Sequence, residues 1–131
     1  MQTPPLITAQ HALFLDFDGT LTPLIDNPYH SELLPEVASA LPHIDNLLDG
    51  ALAIISGRDV RNLSERCPHS IMRIGNHGME ICLPNTTPNL AEPGPEGLRT
   101  LLEGLITPYN GAWIEDKGPV CGIHYRDIPS A

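Results

Sequence analysis

The chain has 131 residues, 41% apolar and 18% charged, with a net charge of −9. That suffices for one compact domain, or one and a half small ones, around a core that needs no staples, and it excludes a disordered tail. Lys117 is the sole lysine, so the basic stripe of a phosphate-tracking nucleic-acid binder is absent and nucleic acid is excluded as a partner.

A Pro-containing arm, residues 1–10, comes first. It has neither a basic stretch nor a long apolar run, so no signal peptide is expected. No apolar stretch approaches the roughly 20 residues of a membrane helix, and no membrane partner is expected either. Ala12 to Leu15 is an apolar run of strand length ending in acids, which predicts a buried parallel strand. Pro35 suits the first turn of a helix whose apolar residues are Val37, Leu41, Ile44 and Leu48. Pro42 is expected to kink or split that helix. Residues 51–56 (ALAIIS) predict a second buried strand, and Arg58 to Arg66 a helix with Val60, Leu63 and Cys67 on its inner stripe. A third strand is predicted over 71–74, with residues 75–83 continuing as an extended segment.

Strands alternating with helices imply crossovers and a parallel sheet. The segment 83–95 carries four prolines and is read as a linker. Beyond it, Pro95 opens a predicted helix with Leu98, Leu101, Leu102 and Leu105 on one face. Two strands around Gly118-Pro119 follow. No internal repeat is visible. Cys67, Cys82 and Cys121 make no zinc pattern and no obvious pair. Reduced, mostly packed thiols in a soluble cytoplasmic protein are the expectation.

The densest chemistry is Asp16-Phe17-Asp18-Gly19-Thr20. Two carboxylates two residues apart at a strand end point roughly the same way, and such a pair divides labour between attack and proton transfer. A cation would relieve their repulsion. A solvated acidic turn is the plain alternative. Ser56-Gly57-Arg58 ends the second strand at the same rim, where open parallel sheets bind ligands, and its groups suit a phosphoryl oxyanion. Taken singly, Ser56 also reads as a helix cap and Arg58 as a surface charge.

In a hairpin turning at Gly118-Pro119, Lys117 pairs with Val120, Glu115 with Gly122, and Trp113 with His124. One face then carries Trp113, Glu115, Lys117, Gly122, His124 and Arg126, and the other Ile114, Cys121, Ile123 and Tyr125. The polar face suits sugar hydroxyls or plain solvation equally well.

LFLDFDGTLTP and IISGR resemble the first two motifs of the haloacid dehalogenase superfamily. GNHGMEI and IEDKGPVCGIHYR narrow the resemblance to the trehalose-6-phosphate phosphatase family, over about His11 to Arg126. The resemblance implies an α/β fold: a partial doubly wound, Rossmann-like parallel sheet over 1–83, then a linker and part of an α+β cap over 84–131. By the same resemblance Asp16 is the nucleophile that forms an aspartyl-phosphate, and Asp18 the general acid/base. The substrate is trehalose 6-phosphate, cleaved to trehalose and phosphate. Mg²⁺ would be held by the Asp16 carboxylate and the Asp18 backbone carbonyl. Asp16, Phe17, Asp18, Ser56 and Gly57 would meet the phosphoryl end, with Arg58, Asn76 and His77 lining the entrance. Glu115, Lys117 and Arg126 would grip the disaccharide, held between cap and core. Read from its residue type alone, His77 is a structural or solvated histidine.

The superfamily's third-motif lysine and fourth-motif acidic cluster have no counterpart here, since Lys117 belongs to the cap and no Asp-Asp pair occurs. On that reading residues 1–131 are the N-terminal part of such a phosphatase, expected to be aggregation-prone and inactive alone. The alternatives are a phosphatase for another sugar phosphate and a non-catalytic remnant or binding module. The oligomeric state is not legible.

Overall fold

The apolar runs become short strands, and the proline and glycine positions mark where the chain turns between them. The computed structural model describes residues 6–25, 30–125 and 128, and the chain divides into two compact units, Met1–Leu90 and Ala91–Ala131.

In the first unit, β1 (Leu13–Asp16), β2 (Leu52–Ile55), β3 (Met72–Gly75) and β4 (Glu80–Cys82) form one sheet in that order. The β1–β2 and β2–β3 pairs are parallel, and β3–β4 is antiparallel. α1 (Pro35–Leu47) links β1 to β2, and α2 (Val60–Ser64) links β2 to β3. Leu41, Leu48, Leu52, Ile54, Leu63, Cys67 and Ile71 pack with Phe17 into the core. Burial pushes the Cys67 thiol up to about 12, so it packs as a small apolar group.

Four expectations are corrected. Pro42 neither splits nor ends α1, which runs unbroken through it. Proline removes one helical N–H, and burial of Leu41 and Leu48 on the same stripe outweighs that loss. α2 is five residues long rather than spanning Arg58 to Arg66. The Asp59 side chain accepts the Asn62 N–H at 2.8 Å, capping the helix and leaving Arg58 in the preceding loop. Residues 75–83 do not run on as one extended segment. Asn76, His77 and Gly78 take positive φ values of 45°, 56° and 99°, and the chain doubles back as β4. Finally, β1, which is an edge of the four-stranded sheet, is not a fully buried strand. Leu13 and Leu15 pack on the core, but Phe14 on the other face is 60% exposed.

In the second unit, α3 (Leu98–Ile106) lies against a hairpin of β5 (Trp113–Asp116) and β6 (Cys121–His124). The register pairs Trp113 with His124 and Glu115 with Gly122, as the sequence predicts. The Asp116 carboxylate accepts the Gly118 N–H at 2.9 Å, and Gly118 supplies the left-handed turn at φ 83°. The leucine stripe differs from expectation. Leu98, Leu102 and Ile106 are half-buried at i, i+4, i+8, whereas Leu101 and Leu105 are exposed.

Arg73, at the centre of β3, is fully buried. Its Nη2 donates to the Cys82 thiol at 2.9 Å and to the Leu83 carbonyl at 3.3 Å. Among the described residues its Nε and Nη1 find no acceptor. A buried guanidinium without a carboxylate costs more than a packed apolar side chain of similar length. Arg73→Met is therefore expected to raise the urea midpoint, stabilising by about 1 kcal/mol or more. A lowered midpoint would show that the thiol and carbonyl contacts outweigh the lost hydration.

Candidate active site

β1 delivers Asp16 to the sheet's carboxyl rim, and the chain then bends. Phe17 is drawn fully into the core, so whatever it offers a ligand comes from its main chain. Its carbonyl accepts the Leu21 and Thr22 N–H groups at 3.1 and 3.0 Å, and the Gly19 N–H returns to the Thr22 carbonyl at 2.8 Å. Gly19 sits at φ 86°, where a side chain is disfavoured. The result is a closed loop with Asp16 at its entry and Asp18 at its crest.

The two acids meet different surroundings. Asp16 is exposed, with the Thr20 hydroxyl 3.5 Å from its Oδ2. Asp18 is half-buried and gripped by the Arg58 fork, Nε to Oδ2 at 2.8 Å and Nη2 to Oδ1 at 2.6 Å. The Ser31 hydroxyl adds a bond to Oδ1 at 3.3 Å. The hydrogen-bonded Arg58 guanidinium holds the Asp18 carboxyl below its ordinary value, against an opposing push from burial. Arg58 is itself braced: Nη1 donates to Asn62 Oδ1 at 3.0 Å, and its Cζ lies 5.3 Å from the Phe17 ring centroid.

The exits of β2 and β3 are stitched to this rim. Ser56 is buried, and its hydroxyl oxygen accepts the Arg58 N–H at 3.1 Å. The Asn76 N–H reaches the Arg58 carbonyl at 2.7 Å, and the His77 N–H the Ser56 carbonyl at 3.2 Å. A β-carbon on Gly57 would fall 2.7 Å from His77 Cε1, so the imidazole lies on a bare patch of backbone. His77 is exposed. Asn76 is not at an entrance: it is fully buried, and its Nδ2 donates to Glu80 Oε1 at 2.9 Å.

Sequence reasoning missed two residues that hold this rim. Glu80, almost fully buried, also accepts the Val60 N–H at 2.9 Å on Oε2. A β-carbon on Gly75 would stand 2.6 Å from the Val60 nitrogen and 2.7 Å from the Arg58 carbonyl oxygen. A glycine directly after a predicted strand was the available signal for such a close approach.

Glu115 and Lys117 lie on the hairpin of the second unit, with Lys117 Nζ 3.4 Å from Glu115 Oε2. Arg126 lies outside the described residues. For a cation, the first unit offers hard oxygen donors. The Arg58 fork occupies the Asp18 carboxylate, whereas the Asp16 carboxylate is exposed. It is a donor of the kind that suits Mg²⁺, which is commonly held by one or two protein oxygens plus water and phosphate. Among the described residues no group of three His, Cys, Asp or Glu side chains is clustered for a metal.

Parallel strands whose carboxyl ends gather two aspartates, a serine and an arginine make an α/β core of the haloacid dehalogenase type. The family model described as trehalose-phosphatase matches residues 14–131, and the chain belongs to that family. It is 34% identical over 121 residues to a probable trehalose-phosphate phosphatase of Sinorhizobium fredii, spanning 90% of this chain and 46% of that protein. It is 32% identical over 149 residues to probable trehalose-phosphate phosphatase 2 of Oryza sativa subsp. japonica, spanning 89% of this chain and 37% of that protein. A solved structure of Aspergillus fumigatus trehalose-6-phosphate phosphatase superposes with a TM-score of 0.57 at 29% identity, over 88% of this chain and 46% of that one. The chain thus spans less than half the length of each of these relatives.

The Asp18–Arg58 pair has a pH signature. A carboxyl with a depressed folded pKa contributes stability that is present above its unfolded value and lost as pH falls through the folded one. Urea unfolding is expected to lose stability below about pH 4, the unfolded aspartate value, and Arg58→Met to shrink that acid loss. An acid limb of unchanged depth would overturn the pairing as its source.

Proposed function

We propose that the protein is a phosphatase that hydrolyses trehalose 6-phosphate to trehalose and phosphate through an aspartyl-phosphate. The observation that carries this reading is the division of the two acids: Asp16 exposed at the strand end, Asp18 held two residues on by a guanidinium. Family membership supplies the substrate class.

In the first step an Asp16 carboxylate oxygen attacks phosphorus, and the bond from phosphorus to the sugar oxygen breaks. Asp18 gives its proton to that departing oxygen. In the second step Asp18 takes a proton from water as the water attacks the aspartyl-phosphate, releasing phosphate and restoring Asp16. Arg58 holds Asp18 ionised at rest, so the first step requires Arg58 to let go and turn toward the phosphoryl oxygens. Asp18 meanwhile takes up a proton from solvent, the proton it then gives to the departing oxygen. The Ser56 hydroxyl, whose oxygen accepts the Arg58 N–H, would donate to one of those oxygens, with His77 at the rim. The Asp16 carboxylate and the Asp18 backbone carbonyl would hold Mg²⁺, which supplies charge neutralisation at the phosphoryl group. Glu115 and Lys117 offer a carboxylate and an ammonium to sugar hydroxyls, as Arg126 offers a guanidinium. No helix among the described residues is long and apolar enough to cross a membrane. With Cys67, Cys82 and Cys121 all unpaired, we place the enzyme in the cytoplasm.

In a chain extended to the full length of its relatives, Asp16→Asn is expected to lower phosphate release from trehalose 6-phosphate by about 10³-fold or more. Beryllofluoride, a phosphoryl mimic, should form its adduct on Asp16; an adduct on Asp18 would reverse the two roles.

In the same extended chain, Glu115→Ala and Lys117→Ala should each reduce kcat/KM for trehalose 6-phosphate by about 1–3 kcal/mol in transition-state binding. Neither should affect hydrolysis of p-nitrophenyl phosphate, which carries no sugar. Equal losses on both substrates would make the two residues structural and favour a different sugar phosphate.

A further inference from the structure

We propose that His124 is a positioning residue that presets the Glu115 carboxylate for a sugar, with Trp113 locking the imidazole in place. The inference rests on the assignment of Glu115 as a sugar contact and adds a residue to which no role has been given.

The geometry begins with the hairpin register. Trp113 and His124 are direct cross-strand partners, and their rings stack with centroids 3.9 Å apart and planes 5° from parallel. Glu115 faces Gly122, which has no side chain. His124 is the diagonal neighbour, a span that long and ring side chains can bridge, and it leans across the glycine. Its Nε2 lies 2.9 Å from Glu115 Oε2. A β-carbon on Gly122 would sit 3.7 Å from His124 Nε2 and 3.8 Å from Glu115 Oε2, so the bond passes directly over that residue.

An ionised carboxylate only accepts, so the bond requires a proton on His124 Nε2 and fixes the ring's tautomer or charge state. Lys117 Nζ approaches the same Oε2 at 3.4 Å. Both contacts fall on one oxygen and fix the position of the carboxylate. A glutamate with three rotatable bonds is otherwise ordered only when ligand binds, at a cost in affinity. Here the ordering is done beforehand by an imidazole that is itself held flat against an indole.

Two substitutions separate the two contacts of His124. His124→Phe keeps a ring for Trp113 and removes the donor. His124→Gln keeps an N–H within reach of Glu115 and removes the ring. Trehalose 6-phosphate is titrated into the full chain, read by the fluorescence of Trp113, the sole tryptophan, and by calorimetry. His124→Phe is expected to weaken binding about tenfold, the cost of ordering one long side chain on binding. His124→Gln should weaken it less than about threefold, and inorganic phosphate should bind all variants alike. Independently of ligand, ¹⁵N shifts of the wild-type ring should show a protonated Nε2.

A phenylalanine variant that binds like wild type, or a glutamine variant weaker than it, would overturn the positioning role while Glu115→Ala still weakens binding. So would an unprotonated Nε2, and that measurement stands even where a variant fails to fold. If Glu115→Ala leaves affinity unchanged, or wild type binds no trehalose 6-phosphate, the sugar assignment itself fails and the positioning role falls with it.

Discussion

The ion pair between Arg58 and Asp18 ties the exit of the first strand to the exit of the second, and most of the rim geometry follows from it. Two parallel N–H to O bonds at 2.8 and 2.6 Å fix direction as well as distance, which a lysine could not do. The pair is partly sheltered, with the Arg58 side chain 11% and the Asp18 side chain 33% exposed, so solvent weakens it less than a surface bridge. Its chemical effect is to make two nearby aspartates unlike: one stays open, the other is held ionised until its partner moves. Arg58 is able to make the pair because α2 starts late, at Val60, with Asp59 as its cap.

The backbone of Arg58 is fixed from the other side. Its carbonyl accepts the Asn76 N–H at 2.7 Å, and this contact exists only because Gly75 lets the third strand's end run against residues 58–60. Glu80 completes the joint by bonding both the Asn76 side chain and the Val60 N–H. Three strand exits are therefore held by one guanidinium, one bare glycine and one buried carboxylate. The left-handed conformations of Asn76 and His77 are the local strain this joint sustains; such outliers persist where surrounding bonds over-determine them.

The second unit repeats the same strategy on a smaller scale. Gly122 opens the space across from Glu115, and two side chains from flanking positions fill it with hydrogen-bonding groups. The two glycines differ in degree: a β-carbon on Gly75 would collide with the Val60 nitrogen at 2.6 Å, whereas one on Gly122 would only touch the His124–Glu115 contact at 3.7 and 3.8 Å.

Much of this was legible in the sequence. The order of strands and helices followed from apolar runs punctuated by Pro and Gly, because burial and turn chemistry are local signals. The hairpin register followed from one turn, since side chains alternate with period two and a single fixed pair sets all the others. The aspartate pair and the serine-glycine-arginine stretch were visible as motifs at predicted strand ends. What the sequence could not show is which partner each group takes. Asp18 and Arg58 are forty positions apart, and nothing local says that the guanidinium reaches the second acid and leaves the first exposed. Asn76 looked like an entrance residue, yet only packing shows it buried on Glu80. Pro42 read as a kink or a split because its cost is local, while the burial of Leu41 and Leu48 that keeps α1 in one piece is tertiary. By itself the sequence determined the elements, their order and the chemical groups at the rim. The tertiary structure alone decided the pairings, because hydrogen bonds and burial depend on distances that chain position does not encode.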